Sequence, residues 1–296
     1  MKQSPNACAL ALLVSFMCLF VNAFGQVELP RKSPRASVSY TIGLTDITIH
    51  YSSPAVADRT IWGALVPYNQ LWRAGANEAT TIEFSTDVQV GGQTLSQGKY
   101  SFFLIPNEGS RWTAVFNRSA DQWGAYTYDE HLDALRVEVE VQTSDYSEER
   151  LSYHLSDVGI GQGYIRLWWE KRQIFIPVKT DVIKQVLDNM ERSIAAAAEN
   201  QKWELYTQAA DFLINSGDES HLDQALQYAN RSTSLINHSW NWWVKAQILA
   251  KKGEYRSAIN SANKSIDAGK SDASDTFYVN AKSHIEQSIS EWRAKI

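Results

Sequence analysis

Residues 173–187 read QIFIPVKTDVIKQVL, and within this stretch one kind of structure gives way to another. Gln173 to Val178 alternates between apolar and other residues with the period of a β-strand. Thr180 and Asp181 can then cap a helix that runs to about Glu199. The apolar residues of this second segment keep helical spacing: Val182, Val186, Leu187, Met190 and Ile194. The stretch therefore predicts a boundary between a β-domain and a helical domain near residue 178.

Proline and glycine are distributed unevenly about this boundary. All seven prolines and twelve of the fifteen glycines precede it, which indicates strands first and long helices afterwards. About nine or ten short segments with turn signals between them alternate in the first part: 37–40, 46–51, 81–84, 88–90, 100–105, 112–116, 135–141, 151–155, 164–169 and 173–178. We expect residues 26–178 to form an antiparallel β-sandwich. Its interior has room for six tryptophans: Trp62, Trp72, Trp112, Trp123, Trp168 and Trp169.

Residues 179–296 contain two similar segments. The first has Tyr206, Ala210, Leu213, Gly217, Leu222 and Ala225, and the second has Trp242, Ala246, Leu249, Gly253, Tyr255 and Ala258. This spacing resembles tetratricopeptide repeats, in which two helices of a unit of ~34 residues cross at small side chains. Ser232 and Ser265 depart from the pattern, because they replace a small alanine. We expect an all-α helical-repeat domain closed by a helix over about 274–294; an unrelated small helical bundle is the alternative.

The first 25 residues have the features of a secretory signal peptide. Lys2 is followed by an apolar run over 7–21, and Ala23-Phe24-Gly25 supplies the small residues of a cleavage site. The run is short for a membrane span of about 20 residues, which leaves an uncleaved anchor as the alternative. Both cysteines, Cys8 and Cys18, lie in this segment, so the mature chain would have no disulfide and no Cys nucleophile. We expect an exported protein, periplasmic or extracellular, without a further membrane span.

Charge and motifs exclude several functional classes. The mature chain would carry 27 basic and 33 acidic residues without a long basic run, which disfavours a nucleic-acid partner. No phosphate loop, serine-nucleophile elbow or zinc-protease motif is present, and no cofactor is implied. Tyr128-Asp129-Glu130-His131-x-Asp133 collects possible metal ligands, but its spacing fits no known motif, so we predict a solvated loop and no metal site.

A polar cluster precedes one of the strand-like segments. Residues 72–78, WRAGANE, combine Trp72, Arg73, Asn77 and Glu78 around a glycine. In the structural interpretation Trp72 fills the sandwich and Arg73 pairs with Glu78 across the turn. In the functional interpretation Arg73 and Arg59 bind an anionic group, and Glu78 orients it or acts as acid/base.

Exposed aromatic residues would give two further sites. Residues 122–128, QWGAYTY, are typical of either a sandwich core or a surface on which sugar rings stack. In the helical domain we place Trp242 in the repeat core. Trp240 and Trp243 are then surplus, and could bind a protein or peptide partner or pack against the β-domain.

Many ordered motifs of residues 30–178 resemble the domain-of-unknown-function 2911 family. They include Tyr51-Ser52-Ser53-Pro54, Arg59-x-Ile61-Trp62-Gly63, Trp72-Arg73-x-Gly75-Ala76-Asn77-Glu78, Gly98-x-Tyr100-Ser101 and Trp123-Gly124-Ala125-Tyr126. Ala57-Asp58 departs from the expected Lys-Gly-like turn before Arg59. The resemblance implies a β-rich domain and an envelope location in Bacteroidetes-type bacteria, and it implies no activity.

Two hypotheses of function follow. The first is a non-catalytic binding or scaffolding protein, whose β-domain holds an anionic small ligand or glycan and whose tail docks a partner. The second is a hydrolase acting on an envelope glycan or peptide through Glu78, with Arg73 and Arg59 holding the substrate. Whether Arg59, Arg73 and Glu78 line one open cleft distinguishes them.

Overall fold

A computed structural model describes residues 29–296, so the signal peptide predicted for residues 1–25 lies outside the described residues. The chain forms a β-domain followed by a helical tail, as expected. The strands are β1 (Arg35–Ile42), β2 (Thr45–Ser52), β3 (Thr80–Phe84), β4 (Val88–Val90), β5 (Gln93–Leu95), β6 (Gly98–Ile105), β7 (Arg111–Asn117), β8 (Asp133–Ser156) and β9 (Gln162–Lys179).

The nine strands belong to one continuous antiparallel sheet in the order β1-β2-β3-β6-β7-β8-β9-β4-β5. The first part of β8, residues 133–140, pairs with β7. The part of the β8–β9 hairpin that contains residues 148–156 of β8 reaches the opposite end of the sheet. There the Leu151 amide donates to the Pro54 carbonyl at 3.0 Å, and the Val56 amide donates to the Glu149 carbonyl at 2.7 Å. The sheet is therefore folded over, and its two halves form the layers of the expected sandwich.

Four tryptophans fill the space between the layers. The Trp62 ring lies 4.9 Å from Trp112, 5.6 Å from Trp72 and 5.8 Å from Trp169, measured between ring centroids. Buried aromatic rings supply large apolar area, and these edge-on and tilted arrangements are favourable.

The prediction that Trp123 and Trp168 are also inside is wrong. Trp123 is 56% exposed, because its segment leaves the sheet after β7 and runs along the surface. Trp168 is partly exposed, because it faces the opposite side of β9 from the buried Trp169.

Six helices follow. They are α1 (Val182–Ala196), α2 (Glu199–Asn215), α3 (Leu222–Leu235), α4 (Ser239–Lys251), α5 (Tyr255–Ser271) and α6 (Thr276–Arg293). Asp181 caps α1, accepting from the Lys184 amide at 3.0 Å, as predicted. The helix ends before Glu199 because Ala197 and Ala198 are extended. No helix among residues 29–296 combines the length and apolarity that a membrane span requires.

Each tail helix packs on the next, and α4 also contacts both α2 and α6. The small residues Ala225 and Ala258 are fully buried at the crossings. The two serines that break the repeat pattern also have a packing role. Ser232 Oγ donates to the Trp203 carbonyl at 2.8 Å, and Ser265 Oγ donates to the Ser239 carbonyl at 2.7 Å. Each hydroxyl thereby satisfies a polar group inside a helix interface.

Helix α1 is attached to the β-domain by hydrogen bonds. Gln185 Nε2 donates to Thr45 Oγ1 and to Thr86 Oγ1, both at 2.8 Å. Thr45 begins β2 and Thr86 follows β3, so one glutamine of the tail holds two loops of the sheet. The tail thus begins directly against the β-domain, without a free linker.

Candidate functional site

The corner that carries residues 72–78 is fixed to the core from one side. The Trp72 indole N–H donates to the Gly75 carbonyl at 3.2 Å. The Ala74 carbonyl accepts from Thr80 Oγ1 at 3.0 Å and from the Tyr153 hydroxyl at 2.8 Å. Ala74 and Asn77 adopt left-handed backbone conformations, with φ of 50° and 57°. The structural interpretation of Trp72 therefore agrees with the contacts that its indole makes.

The predicted ion pair between Arg73 and Glu78 is not formed. Glu78 instead accepts from Arg31 Nη1 at 2.8 Å through both carboxylate oxygens and from Arg35 Nη2 at 2.7 Å. Arg73 is half-buried, and its Nε has no hydrogen-bond partner among the described residues. Burial lowers the pKa of Arg73. The partners of Glu78 lie more than forty positions away, Arg31 before β1 and Arg35 at its first residue, which local spacing does not reveal.

These two arginines keep Glu78 ionised. Partial burial raises the pKa of the carboxyl group, but the hydrogen bonds from Arg35 and Arg31 outweigh it and lower the pKa to about 2. A general acid must hold a proton near the working pH, and such groups usually have a raised pKa. Glu78 is therefore suited to holding positive charge and unsuited to proton donation.

We expect Glu78→Gln to remove a pH-dependent part of the stability. Because the folded-state pKa is depressed, the contribution is present above about pH 4.5 and is lost as the pH falls towards 2. The side chain is 35% exposed, so solvent screens its ion pairs. We therefore expect a loss of about 1 kcal/mol of unfolding free energy at pH 7, which is less than the shift in pKa alone would give. Urea unfolding at pH 7, 4.5 and 2.5 measures it, with Glu83→Gln, an exposed carboxylate on β3, as control. A gap between wild type and Glu78→Gln that stays constant with pH contradicts this assignment.

Glu78 forms part of the wall of a surface groove of about 440 Å³. His50, Thr81 and Lys99 on β2, β3 and β6 also line the groove. Asp121 and Trp123, from the loop after β7, line the other side. The groove therefore presents cationic, anionic and aromatic groups towards one space.

Arg59 and Arg73 do not line this groove. The Arg59 guanidinium closes its own turn, donating from Nε to the Val56 carbonyl at 3.0 Å and from Nη2 to the Ala55 carbonyl at 2.5 Å. Ala57 and Asp58 in this turn both have positive φ, which aims the arginine back at its own backbone. Asn77 Nδ2 donates to the Ser33 carbonyl at 3.3 Å. The structure thus brings Glu78 to the groove without the two arginines predicted beside it.

The loop between β7 and β8 is held by buried amides that the sequence reading missed. Gln122 Nε2 donates to the Ser119 carbonyl at 2.7 Å and lies 3.3 Å from Asn117 Oδ1. Ser101 Oγ on β6 donates to the same Ser119 carbonyl at 2.5 Å. Asn117 and Gln122 are polar and buried, which is unusual unless such groups are hydrogen-bonded. This network fixes Asp121 and Trp123 beside the groove.

Asp133, one of the residues considered for a metal, is occupied by other contacts. Its carboxylate accepts from Asn117 Nδ2 at 2.8 Å, the Tyr128 hydroxyl at 2.7 Å and Arg136 Nε at 2.6 Å. Burial and the hydrogen bond to Asp133 raise the pKa of Tyr128 to about 12. Asp129 accepts from the His131 amide at 2.9 Å. No group of three or more potential metal ligands occurs in residues 29–296.

Trp123 and Tyr126 are exposed at the surface beside this loop. Tyr126 is 85% exposed, and Trp123 is itself part of the groove. The backbone of Trp123 bridges to that of Glu78, which places the indole and the carboxylate next to each other. An exposed indole next to fixed polar groups is the arrangement expected of a ligand-binding surface.

A serine and a histidine meet on the outer part of the β8–β9 hairpin. His154 Nε2 lies 2.9 Å from Ser152 Oγ, because alternate residues of a strand share a face. Burial and the nearby charge of Arg166 lower the pKa of His154. Nδ1 of His154 has no hydrogen-bond partner in the described part of the chain, so the group that orients the base in a catalytic triad is missing.

The tryptophans of the tail are arranged differently from the expectation. Trp243 is 5% exposed and stacks on Trp292 at 5.8 Å, so it belongs to the core and is not available to a partner. Trp240 is half-buried near Trp203 and Phe277. Trp242, which we placed in the core, lies partly exposed. Docking of a partner by the tail stays a prediction.

Comparison with known proteins relates the β-domain to a family of unknown function. No curated protein and no solved structure matches the chain. The tetratricopeptide-like character of the tail rests on the spacing of its residues, because the family model that matches ends at residue 178. Residues 33–178, which make up most of the β-domain, match the model of the family described as "Protein of unknown function (DUF2911)".

Proposed function

We propose that this chain is an exported, non-catalytic binding protein whose β-domain holds a saccharide in the groove beside Glu78. One observation carries the proposal: Trp123 is 56% exposed on a groove that polar side chains line. The flat face of an indole packs against the apolar face of a sugar ring, and the polar groups satisfy its hydroxyls.

Charge favours a saccharide with an acidic substituent. Arg31 and Arg35 both form ion pairs with Glu78. Their two positive charges exceed its single negative charge. Lys99 lines the same groove and makes no ion pair with any residue of 29–296. Asp121 is the second carboxylate that faces the ligand. An acidic group placed near Lys99 would gain a charge-assisted hydrogen bond.

The alternative, a hydrolase that uses Glu78 with Arg73 and Arg59, has less support. Glu78 is ionised at ordinary pH, and neither arginine lines the groove. Two carboxyl groups with separated pKa values are the usual requirement for glycoside hydrolysis. Here the pKa of Glu78 is shifted downwards, which fits binding better than acid catalysis.

We expect Trp123→Ala to weaken saccharide binding about tenfold, or roughly 1.4 kcal/mol, while leaving the fold intact. Calorimetric titration with tetrameric N-acetylglucosamine and with tetragalacturonate tests both the neutral and the acidic class. Lys99→Gln should weaken binding of tetragalacturonate alone.

Tyr146→Ala is the matched control, because Tyr146 is 77% exposed in the middle of β8 and does not line the groove. Equal binding by wild type and Trp123→Ala would refute the stacking role. Binding of neither saccharide would refute the proposed ligand class, and release of reducing ends on incubation would favour the hydrolase.

A further inference from the structure

Three side chains of the tail form a second charged and aromatic cluster, which we call the lysine–indole cluster: Trp242 and Lys245 on α4, and Lys264 on α5. Lys264 Nζ lies 4.4 Å from the centre of the Trp242 ring, and Lys245 Nζ lies 5.1 Å from it. Two ammonium groups thus share one indole.

No carboxylate among residues 29–296 forms an ion pair with either ammonium group. Neither ammonium forms an ion pair or a hydrogen bond with any described residue, and this includes Asp267, one helical turn beyond Lys264 on α5. Burial of Lys245, and then the charge of Lys264, lower the pKa of Lys245. Both cations lie within range of the attraction of the ring, although they repel each other. The cluster is therefore a cationic site without a counter-ion.

The geometry restricts what can bind. The Trp242 indole N–H already donates to Asn237 Oδ1 at 2.7 Å, so the ring is fixed and offers no free donor. The binding groups are the two ammonium groups, each with three N–H donors and no acceptor. A group with several oxygens and two negative charges matches them in both number of bonds and charge.

We propose that the lysine–indole cluster binds a dianionic phosphate group. The phosphate oxygens accept from Lys245 and Lys264 together, and the anion relieves the repulsion between them. A carboxylate carries one charge and leaves a net positive site, so it binds more weakly. This site is on the tail, separate from the groove of the β-domain, and the two can be tested independently.

The test follows the indole N–H resonance of Trp242 by NMR in the full chain, assigned with Trp242→Phe. Inorganic phosphate, glycerol 1-phosphate and acetate are titrated in turn at pH 7.5, with sodium chloride holding the ionic strength constant. We expect saturable shifts with both phosphates, and at least about tenfold weaker binding of acetate. If inorganic phosphate alone saturates the shift, the ligand is a free phosphate ion. If both phosphates saturate it, the site also accepts a phosphate monoester. Either outcome supports the proposal.

Variants connect the signal to the two lysines. Lys245→Gln and Lys264→Gln should each weaken phosphate binding about tenfold, and Lys264→Arg should retain it. Lys270→Gln, an exposed lysine on the same helix, is the matched control and should bind like wild type. A shift that does not saturate, equal binding of acetate, or unchanged binding in both glutamine variants would overturn the proposal.

Discussion

Replacing Trp169 with alanine is expected to cost the β-domain about 3–5 kcal/mol of unfolding free energy. Trp169 is 1% exposed, stacks 5.9 Å from Trp72 and lies 5.8 Å from Trp62. Truncation leaves a cavity between two layers that are parts of one sheet, so the layers cannot approach without breaking strand pairing. Because the unfolding free energy of a typical domain is only about 5–15 kcal/mol, the expected loss is a large share of it. Urea unfolding followed by near-ultraviolet circular dichroism measures it.

Trp168→Ala is the matched control for this prediction. Trp168 is the preceding residue of β9 and faces the opposite side, where it is partly exposed. Arg166 Cζ lies over its ring, 5.4 Å from the ring centroid. We expect a loss of about 1 kcal/mol or less, since few buried contacts are removed. The loss of unfolding free energy in Trp169→Phe should lie between the losses in Trp168→Ala and Trp169→Ala. Trp169 Nε1 has no hydrogen-bond partner within residues 29–296, and phenylalanine removes that unpaired donor. Equal losses for Trp168→Ala and Trp169→Ala would refute this account of the core.

The fold follows largely from patterns that are local in the chain. Alternation over Gln173–Val178 and the cap at Asp181 predict the end of β9 and the start of α1, because strand period and capping involve neighbouring residues. The continuity of the sheet was not predictable in this way. It depends on contacts between the β8–β9 hairpin and the segment that follows β2. There the amides of Leu151 and Val56 donate hydrogen bonds to residues more than ninety positions away in the chain.

The site was less predictable than the fold for the same physical reason. Glu78 was identified by its residue type and its turn, but its true partners, Arg31 and Arg35, come from a distant segment. Arg59 illustrates the converse: the positive φ of Ala57 and Asp58 turns its side chain back onto local carbonyls. Burial of the amide of Gln122 depends on a loop path that periodicity does not describe. Side-chain direction, rather than residue type, decides which of these groups share a groove.

Replacing Gly269 with alanine is expected to destabilise the helical tail by about 2–3 kcal/mol. Gly269 lies in α5, where a Cβ would fall 2.1 Å from Tyr278 Cγ and 2.4 Å from Tyr278 Cβ on α6. These atoms are at the base of the side chain, so rotation of the tyrosine ring does not relieve the contact, and the helices must separate. Helix propensity alone favours alanine over glycine by about 1 kcal/mol, so without the clash the substitution would stabilise the tail. Thermal unfolding followed by circular dichroism at 222 nm measures the change.

Two further variants separate this contact from other effects of losing a glycine. Gly253→Ala has no atom within 4 Å of the new Cβ, but its φ of +79° makes alanine strained, so we expect about 1 kcal/mol from the backbone alone. In Gly269→Ala/Tyr278→Gly both the Cβ and the ring that overlap the new methyl group are absent. The double variant should then cost clearly less than the sum of the two single variants, because the clash needs both side chains. Strict additivity would mean that α5 and α6 do not meet at these residues, and the helix stacking described for the tail would be wrong at this crossing.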